Sequence, residues 1–249
     1  MTKEEQMLLK HFNDLSERAY YQNRPCFTDF LDMNEQSLLL NYYQGALHPV
    51  LYGGYDFAER KIAVFSDEPF EDPAKYPVCW LAIHPVSSKY AERLSHRDFL
   101  GSILGLGLER SCLGALLIEG SSAKVLGLTR VKDFIQSELT QVRHTRVTVE
   151  TMDSVETKFE PVIEVIHVTG SSLRLDAVIS LAFRLSRSQS CSLIESGQVY
   201  INSRLNTSNG ASLKDGDRIS VRHKGKFIFV DSQNKSKKNK CMVEIHKYV

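Results

Sequence analysis

The sequence predicts an α+β protein with three successive domains, at residues 1–77, 78–170 and 171–249. Helix-like and strand-like hydrophobic periods alternate along the chain, which favours this class. The two ends of the chain carry opposite net charge, which distinguishes the C-terminal domain from the N-terminal one. The chain has 249 residues, 42% hydrophobic and 24% charged. Because a chain of this length and composition can bury more than one core, we expect several folded domains.

The first domain is predicted to contain helices followed by a β-hairpin. Met7, Phe12 and other apolar residues recur at helical spacing, and the apolar run at 37–43 predicts a second helix. The segment 50–65 has strand-like ends around a Gly-Gly pair, which is typical of a hairpin or of two short strands. Proline and acidic residues dominate 66–77, where we predict a linker, since proline cannot donate a backbone hydrogen bond.

The predicted elements of the middle domain follow the order βαββαβ. The strands are predicted at 78–85, 114–120, 123–128 and 146–152, and the helices at 96–107 and 130–139. A further strand-like run at 162–168 ends the domain. This order predicts a ferredoxin-like or RNA-recognition-like sandwich, with a pair of helices on an antiparallel sheet. The fold supports many functions and does not by itself assign one.

The last domain is predicted to begin with two short helices and to end in strands. Apolar residues within 175–183 form one face of the first helix. Ser186 and Gln189 form a capping-box pattern, which predicts a second helix over 187–196 with Gly197 as its C-terminal stop.

The net charge of +1 conceals an uneven distribution. Residues 1–77 carry 7 Lys and Arg against 13 Asp and Glu, whereas residues 171–249 carry 14 against 6. The first domain therefore has a net charge of −6 and the last a net charge of +8. A basic module of this kind is suited to a polyanion such as RNA.

Several protein classes are not expected. The charged start lacks the apolar region of a signal peptide, and the longest weakly polar stretch, 99–108, is too short to span a bilayer. The five cysteines form no C-x-x-C pair, so we expect reduced thiols, a cytoplasmic protein and no metal site. Phosphate-loop, nucleophile-elbow and zinc-protease motifs do not occur, and the G-x-G at 105–107 does not follow a strand. We expect neither an enzyme nor a cofactor.

The C-terminal motifs resemble those of the S-four RNA-binding domain, named for small-subunit ribosomal protein four. They are R-L-D at 174–176, S-R at 186–187, L-I-x-x-G-x-V-x-I-N at 193–202 and G-D-x-I-x-V at 216–221. Two positions depart from the pattern, Ser190 where Ala is common and Ser203 where Gly usually follows the Asn. We expect the first to be neutral and the second to stiffen the turn or to alter one backbone contact.

The resemblance implies RNA binding, and chemistry indicates which side chains to expect at the interface. Helix N-termini offer unpaired N–H groups and partial positive charge to phosphate, and Arg187 at a helix start adds a planar, bidentate fork. The expected RNA-binding residues are Arg174, Arg184, Ser186, Arg187, Gln189, Asn202, Arg204, Arg222, Lys224 and Lys226. Asp176 is expected to be structural because it would repel phosphate, and the Lys run at 235–240 either adds non-specific affinity or only solvates the surface.

Motifs in the rest of the chain resemble the YlmH family of bacterial proteins. They are F-T-D-F-L-D at 27–32, G-G-Y-D-F-A-E-R-K at 53–61 and H-R-D-F-L-G-S-I-L-G-L-G-L-E-R at 96–110. This chain departs from the family at Ala115, which follows Gly114 where the family usually has Asp. Relatives that carry the S-four domain are linked to large ribosomal subunits with stalled peptidyl-tRNA. That similarity implies binding of ribosomal RNA or tRNA on the large subunit and a function in rescue or quality control of stalled translation.

A second RNA patch is predicted outside the C-terminal domain. It consists of Arg60, Lys61, His96 and Arg97. Pairing of Arg97 with Asp98 would instead give that helix start a structural function. Trp80 is the only aromatic residue in the predicted strands 78–85 and 146–152 and is expected in the core, so we do not expect base stacking on this sheet.

Two other classes of function stay open. The acidic N-terminal region could bind a protein partner, which would make the chain an adaptor, or an unrecognised site could modify RNA. The leading hypothesis is a monomeric, non-enzymatic RNA-binding protein of the ribosome.

Overall fold

The computed structural model confirms an α+β protein with antiparallel sheets. It describes residues 1–55, 58–152, 163–170, 174–235 and 241–248. The chain divides into two compact units. The first contains Met1–Glu35 and Tyr42–Lys158, and the second contains Gln36–Asn41 and Phe159–Val249.

The N-terminal region contains the predicted helices and strands. The elements are α1 at Lys3–Gln22, β1 at Cys26–Phe27, α2 at Met33–Tyr42, β2 at Val50–Tyr52 and β3 at Ile62–Phe65. Helix α1 begins at a capping box, in which Thr2 and Glu5 each bond the other's backbone, and it buries Phe12 and Leu15. Strand β3 lies between β1 and β2 in an antiparallel sheet.

The segment 66–77 is packed rather than an open linker. It contains a 3-10 turn at Pro73–Lys75, and Tyr76 stacks on Tyr52 with ring centroids 4.1 Å apart. Phe70 packs edge-on against Tyr76 at 4.9 Å. The prolines and acids suggested a linker, but two aromatic side chains among them supply enough apolar area to anchor the segment.

The middle region has the predicted βαββαβ order. Its elements are β4 at Val78–Pro85, α3 at His96–Leu104, β5 at Leu113–Glu119, β6 at Ser122–Leu128, α4 at Lys132–Glu138, β7 at Gln141–Val142 and β8 at Thr145–Thr151. The sheet order is β5-β6-β4-β8-β7, with β7 as a short addition to the predicted strands. Phe99, Ile103 and Ile135 on the helices are fully buried with Leu81 and Ile83 of β4.

One hydrophobic core joins the regions that the sequence assigns to separate domains, 1–77 and 78–170. Phe30, Ile62 and Val64 belong to the same buried cluster as Trp80 and Phe99. Local hydrophobic periods show which residues are buried but not which elements share a core, so the sequence could not reveal this union.

The second unit contains a six-stranded sheet and two helices. Its elements are β9 at Ile163–Gly170, α5 at Leu175–Phe183, α6 at Arg187–Glu195, β10 at Val199–Ile201, β11 at Arg204–Leu205, β12 at Arg218–Val221, β13 at Gly225–Lys235 and β14 at Cys241–Tyr248. The sheet order is β11-β10-β12-β13-β14-β9, so β9, predicted as the end of the middle domain, pairs along its length with the last strand. The boundary predicted at 170 therefore separates β9 from its own sheet. Among helices formed by described residues, none has both the length and the apolar character needed to cross a bilayer.

Candidate nucleic-acid interface

The start of α6 is fixed by the predicted capping box. The backbone N–H of Gln189 donates to Ser186 Oγ at 3.2 Å, and the backbone N–H of Ser186 donates to Gln189 Oε1 at 2.8 Å. Helix α6 then ends near Gly197, which has the left-handed φ of 71°. The side chains of Ser186 and Gln189, both expected at the RNA interface, thus hold the first turn of the helix.

A buried carboxylate joins the two arginines at the helix starts. Arg187 Nε donates to Asp176 Oδ2 at 3.0 Å, and Arg174 Nε donates to Asp176 Oδ1 at 3.2 Å. The side chain of Asp176 is 2% exposed, whereas those of Arg174 and Arg187 are 46% and 63% exposed. Asp176 therefore holds two solvent-facing guanidinium groups from their buried side. We call these three residues the arginine pair and its carboxylate.

The electrostatics of this cluster keep it ionised. Burial raises the pKa of Asp176, but hydrogen bonds from Arg187, Arg174 and the backbone of Ala177 outweigh burial and hold that pKa below its usual range. The bond to Asp176 in turn raises the pKa of Arg187. One negative and two positive charges leave the cluster with a net positive charge. Among the described residues, Arg187 uses only Nε in hydrogen bonds, so both of its Nη groups can meet an acceptor.

Asn202 bonds within the domain. Its side-chain amide donates to Asp217 Oδ1 at 2.8 Å, and its Oδ1 accepts from the backbone N–H of Arg218 at 3.0 Å. Asn202 and Ser203 form the two-residue turn between β10 and β11, with φ values of 50° and 66°. Positive φ at both positions is the geometry of a type I′ turn, which favours glycine at the second position. Ser203 thus occupies a backbone conformation that is costly for a residue with a Cβ.

Arg204 contacts α2. Its Nη2 donates to the carbonyl oxygen of Leu40 at 3.1 Å, and the backbone N–H of Leu205 donates to Ser37 Oγ at 2.9 Å. The contact joins positions 164 residues apart in the sequence, so no local pattern could predict it. The guanidinium group of Arg204 is bound to this helix rather than grouped with the arginine pair.

The remaining basic residues lie at the turn between β12 and β13 and at the end of α5. Arg222 lies over the ring of the fully buried Tyr200, 5.7 Å from its centroid, and its backbone N–H donates to Gln198 just beyond α6. Lys224 is exposed at the turn, and Lys226 on β13 lies opposite Ser220. Arg184 follows α5, is 85% exposed, and lies 3.6 Å from Glu164. Residues 236–240 of the Lys run are outside the described part of the chain.

The predicted second patch is partly structural. Arg60 Nη2 donates to the carbonyl oxygen of Phe30 at 2.5 Å, and the backbone of Lys61 pairs with Leu31. His96 and Arg97 open α3 and are exposed. The carboxylate of Asp98 accepts a hydrogen bond from the backbone N–H of Ser95 and lies 3.6 Å from the guanidinium group of Arg143. It does not pair closely with Arg97.

Arg110 is a functional candidate that the sequence did not single out. Burial and the charge of Arg60 lower the pKa of Arg110 to about 10, and partial burial and the charge of Arg110 lower the pKa of His96. Arg110 donates to the carbonyl oxygens of Leu113 and Gly114, and Arg60 of the predicted patch donates to the carbonyl oxygen of Phe30. Trp80 is in the core as expected, 8% exposed. Within the part of the chain that the structure describes, no three His, Cys, Asp or Glu side chains are grouped to hold a metal ion.

Comparisons with known proteins agree with this architecture. Residues 74–156 match the family described as "Putative RNA-binding domain in YlmH". The chain is 31% identical over 227 residues to the "Ribosome-associated protein quality control protein P2" of Bacillus subtilis strain 168, covering 89% of this chain and 87% of the relative. The structure resembles the "Cell division protein ylmH from Streptococcus pneumoniae", with a TM-score of 0.51, 17% identity and coverage of 61% of this chain and 93% of that one. By this likeness in sequence and fold, the chain belongs to the YlmH family.

Proposed function

We propose that this protein binds structured RNA on the ribosome without catalysing a reaction, and that the arginine pair is the principal contact. The main observation behind this proposal is that the buried Asp176 holds Arg174 and Arg187, whose side chains face solvent. Support also comes from the domain's net charge of +8 and from the family's RNA-binding domain at 74–156.

Charge and geometry explain why a phosphate would bind at this place. Both arginines stand at helix starts, where the helix dipole attracts negative charge. The carboxylate does not repel the ligand, because two guanidinium groups surround it and leave a positive excess. Pre-orientation matters as well, since each long side chain immobilised on binding costs about 0.5–1.5 kcal/mol. A guanidinium that is already held avoids much of that cost.

The partner is inferred from the relative's printed name, which ties that protein to ribosome-associated quality control. We infer that this chain associates with the large subunit in the cytoplasm as a monomer, and that it contacts ribosomal RNA, tRNA or both. Arg184, Arg222, Lys224 and Lys226 would extend the interface. The exposed Lys224 and Arg184 are suited to the phosphate backbone rather than to base edges.

Co-sedimentation with ribosomal subunits tests the proposal. Lysate is separated on sucrose gradients at low and at high salt, and the protein is followed against the subunit peaks. We expect the wild-type protein in the large-subunit fractions at low salt and at the top of the gradient at high salt, because contacts to phosphate are screened.

The matched variants make the test specific. Arg174→Ala/Arg187→Ala is expected to leave the large-subunit fractions even at low salt. Arg18→Ala/Lys214→Ala removes the same charge from exposed positions outside the interface and is expected to stay bound. A wild-type protein found only at the top of the gradient in both salts would contradict ribosome association. RNase-resistant recovery with one protein would favour an adaptor.

A further inference from the structure

Two half-buried arginines, Arg60 and Arg110, are anchored at one junction of the first unit. Arg60 Nη2 donates to the carbonyl oxygen of Phe30, and Arg110 donates to the carbonyl oxygens of Leu113 and, at 3.3 Å, of Gly114. Phe30 and Gly114 are themselves in contact, because a Cβ added to Gly114 would lie 2.5 Å from the Phe30 ring. Backbone carbonyls on either side of this contact therefore hold the two guanidinium groups.

Within the described part of the chain, no direct partner neutralises the positive charge at this junction. Among the described residues, Arg60 and Arg110 bond only to carbonyl oxygens, and neither makes an ion pair. Glu59 is exposed, within Coulombic range of Arg110 and His96, and offsets part of the charge. The mutual effect of Arg60 and Arg110, which contributes to the lowered pKa of Arg110, is that of two like charges held close together.

One donor at the junction has no acceptor. Arg60 Nε is buried and has no hydrogen-bond partner within the described residues. A buried donor left without an acceptor is energetically unfavourable, so such atoms mark places where a water or a ligand completes the structure. An oxyanion would supply both the acceptor and the missing negative charge. A guanidinium pair matches the oxygens of phosphate particularly well.

We propose that Arg60 and Arg110 form a phosphate-binding site. The phosphate belongs either to an RNA backbone or to a free phosphate or phosphomonoester. This site replaces the predicted four-residue patch, since it requires Arg110 and does not require Lys61, His96 or Arg97. It lies wholly in the first unit, so it holds or fails independently of the arginine pair.

Thermal unfolding of the full chain tests phosphate binding directly. Inorganic phosphate is compared with chloride at equal ionic strength, because a ligand that binds only the folded state raises Tm. We expect phosphate to raise the Tm of the wild-type protein and of Arg146→Gln, an exposed charge-matched control in the same unit. Arg60→Gln is expected to lose the shift.

Arg60→Lys is the companion variant, because it keeps the charge but lacks the Nε–H donor. Loss of the phosphate shift in folded Arg60→Lys would support the geometry rather than charge alone. An equal shift in wild type and in Arg60→Gln would overturn the proposal, and so would the absence of any shift in wild type between phosphate and chloride at equal ionic strength.

RNA binding distinguishes the two sources of phosphate. Filter binding with labelled large-subunit ribosomal RNA is measured for Arg60→Gln in the Arg174→Ala/Arg187→Ala background. A further loss of about 10-fold relative to Arg18→Gln, an exposed arginine of the same unit, in the same background identifies an RNA phosphate. An unchanged RNA affinity together with a positive phosphate shift identifies a free phosphate or phosphomonoester. If phosphate does not raise Tm and Arg60→Gln does not weaken RNA binding, the phosphate site is overturned, but the proposed function is not affected.

Discussion

Replacing Asp176 by Asn separates positioning from charge at the RNA interface. The substitution keeps the size of the side chain but removes its negative charge, so the net positive charge of the cluster rises. If affinity depended on charge alone, Asp176→Asn would bind RNA more tightly. If Asp176 acts by holding Arg174 and Arg187, the same variant binds RNA more weakly, because an amide accepts through only one oxygen and one guanidinium group is released.

The magnitude follows from the cost of ordering the released side chains. Immobilising one or two long side chains on binding costs about 0.5–3 kcal/mol in total, which corresponds to a loss of affinity of about 20-fold at the middle of that range. The effect on stability is smaller than for a fully buried ion pair, because both arginines are about half exposed and stay solvated when released. We expect about 1–2 kcal/mol of destabilisation from the weakened charge-assisted hydrogen bonds.

Fluorescence anisotropy with a labelled ribosomal RNA fragment at fixed salt measures the affinity. Circular dichroism confirms that the variant is folded, and Asp215→Asn, an exposed carboxylate elsewhere in the domain, is the charge-matched control. The control is expected to bind as well as wild type or slightly better. A folded Asp176→Asn that gains affinity to the same extent as Asp215→Asn would refute positioning by Asp176.

Three further predictions concern stability. Ser203→Gly relieves the left-handed conformation at φ 66° and is expected to raise the free energy of unfolding by about 0.5–1 kcal/mol, seen as a higher urea midpoint with an unchanged slope. Gly114→Ala places a methyl group against the Phe30 ring and is expected to lower the free energy of unfolding by about 1–3 kcal/mol in the same assay. An unchanged urea midpoint would show instead that the ring moves away without cost. The hydrogen bond from Arg130 is the main cause of the lowered pKa of Asp29. The stability that this pair contributes is therefore present above the ordinary carboxyl pKa, and it is lost as the pH falls through the pKa of Asp29 in the folded protein. The loss of Tm on acidification should therefore be smaller in Asp29→Asn than in wild type, and parallel curves would argue against this pair.

Elements with clear hydrophobic periods could be predicted from the sequence. The helix α6, with its capping box at Ser186 and its glycine stop, depends on residues within about a dozen positions of one another. The βαββαβ order is equally local, since each strand or helix shows its own period before any tertiary contact forms.

Contacts between distant parts of the chain could not be predicted. The pairing of β9 with β14, the contact of Arg204 with Leu40 and the shared core around Phe30 all join residues that no local pattern relates. The candidate site shows the same division. Motif and charge indicate Arg174 and Arg187, but only the hydrogen bonds in the structure show that Asp176 is the partner of both. Arg110 gave no sequence signal beyond its place in a family motif.

The salt dependence of RNA binding tests the assignment of the arginine pair most directly. The logarithm of the affinity for ribosomal RNA is plotted against the logarithm of salt concentration for wild type, Arg174→Ala/Arg187→Ala and Arg18→Ala/Lys214→Ala. Each neutralised phosphate contributes a slope of about −0.7 to −0.9, so removal of two contacts is expected to reduce the slope by about 1.4–1.8. The control pair is expected to keep the wild-type slope. A folded Arg174→Ala/Arg187→Ala with the wild-type slope and affinity would show that RNA is bound elsewhere.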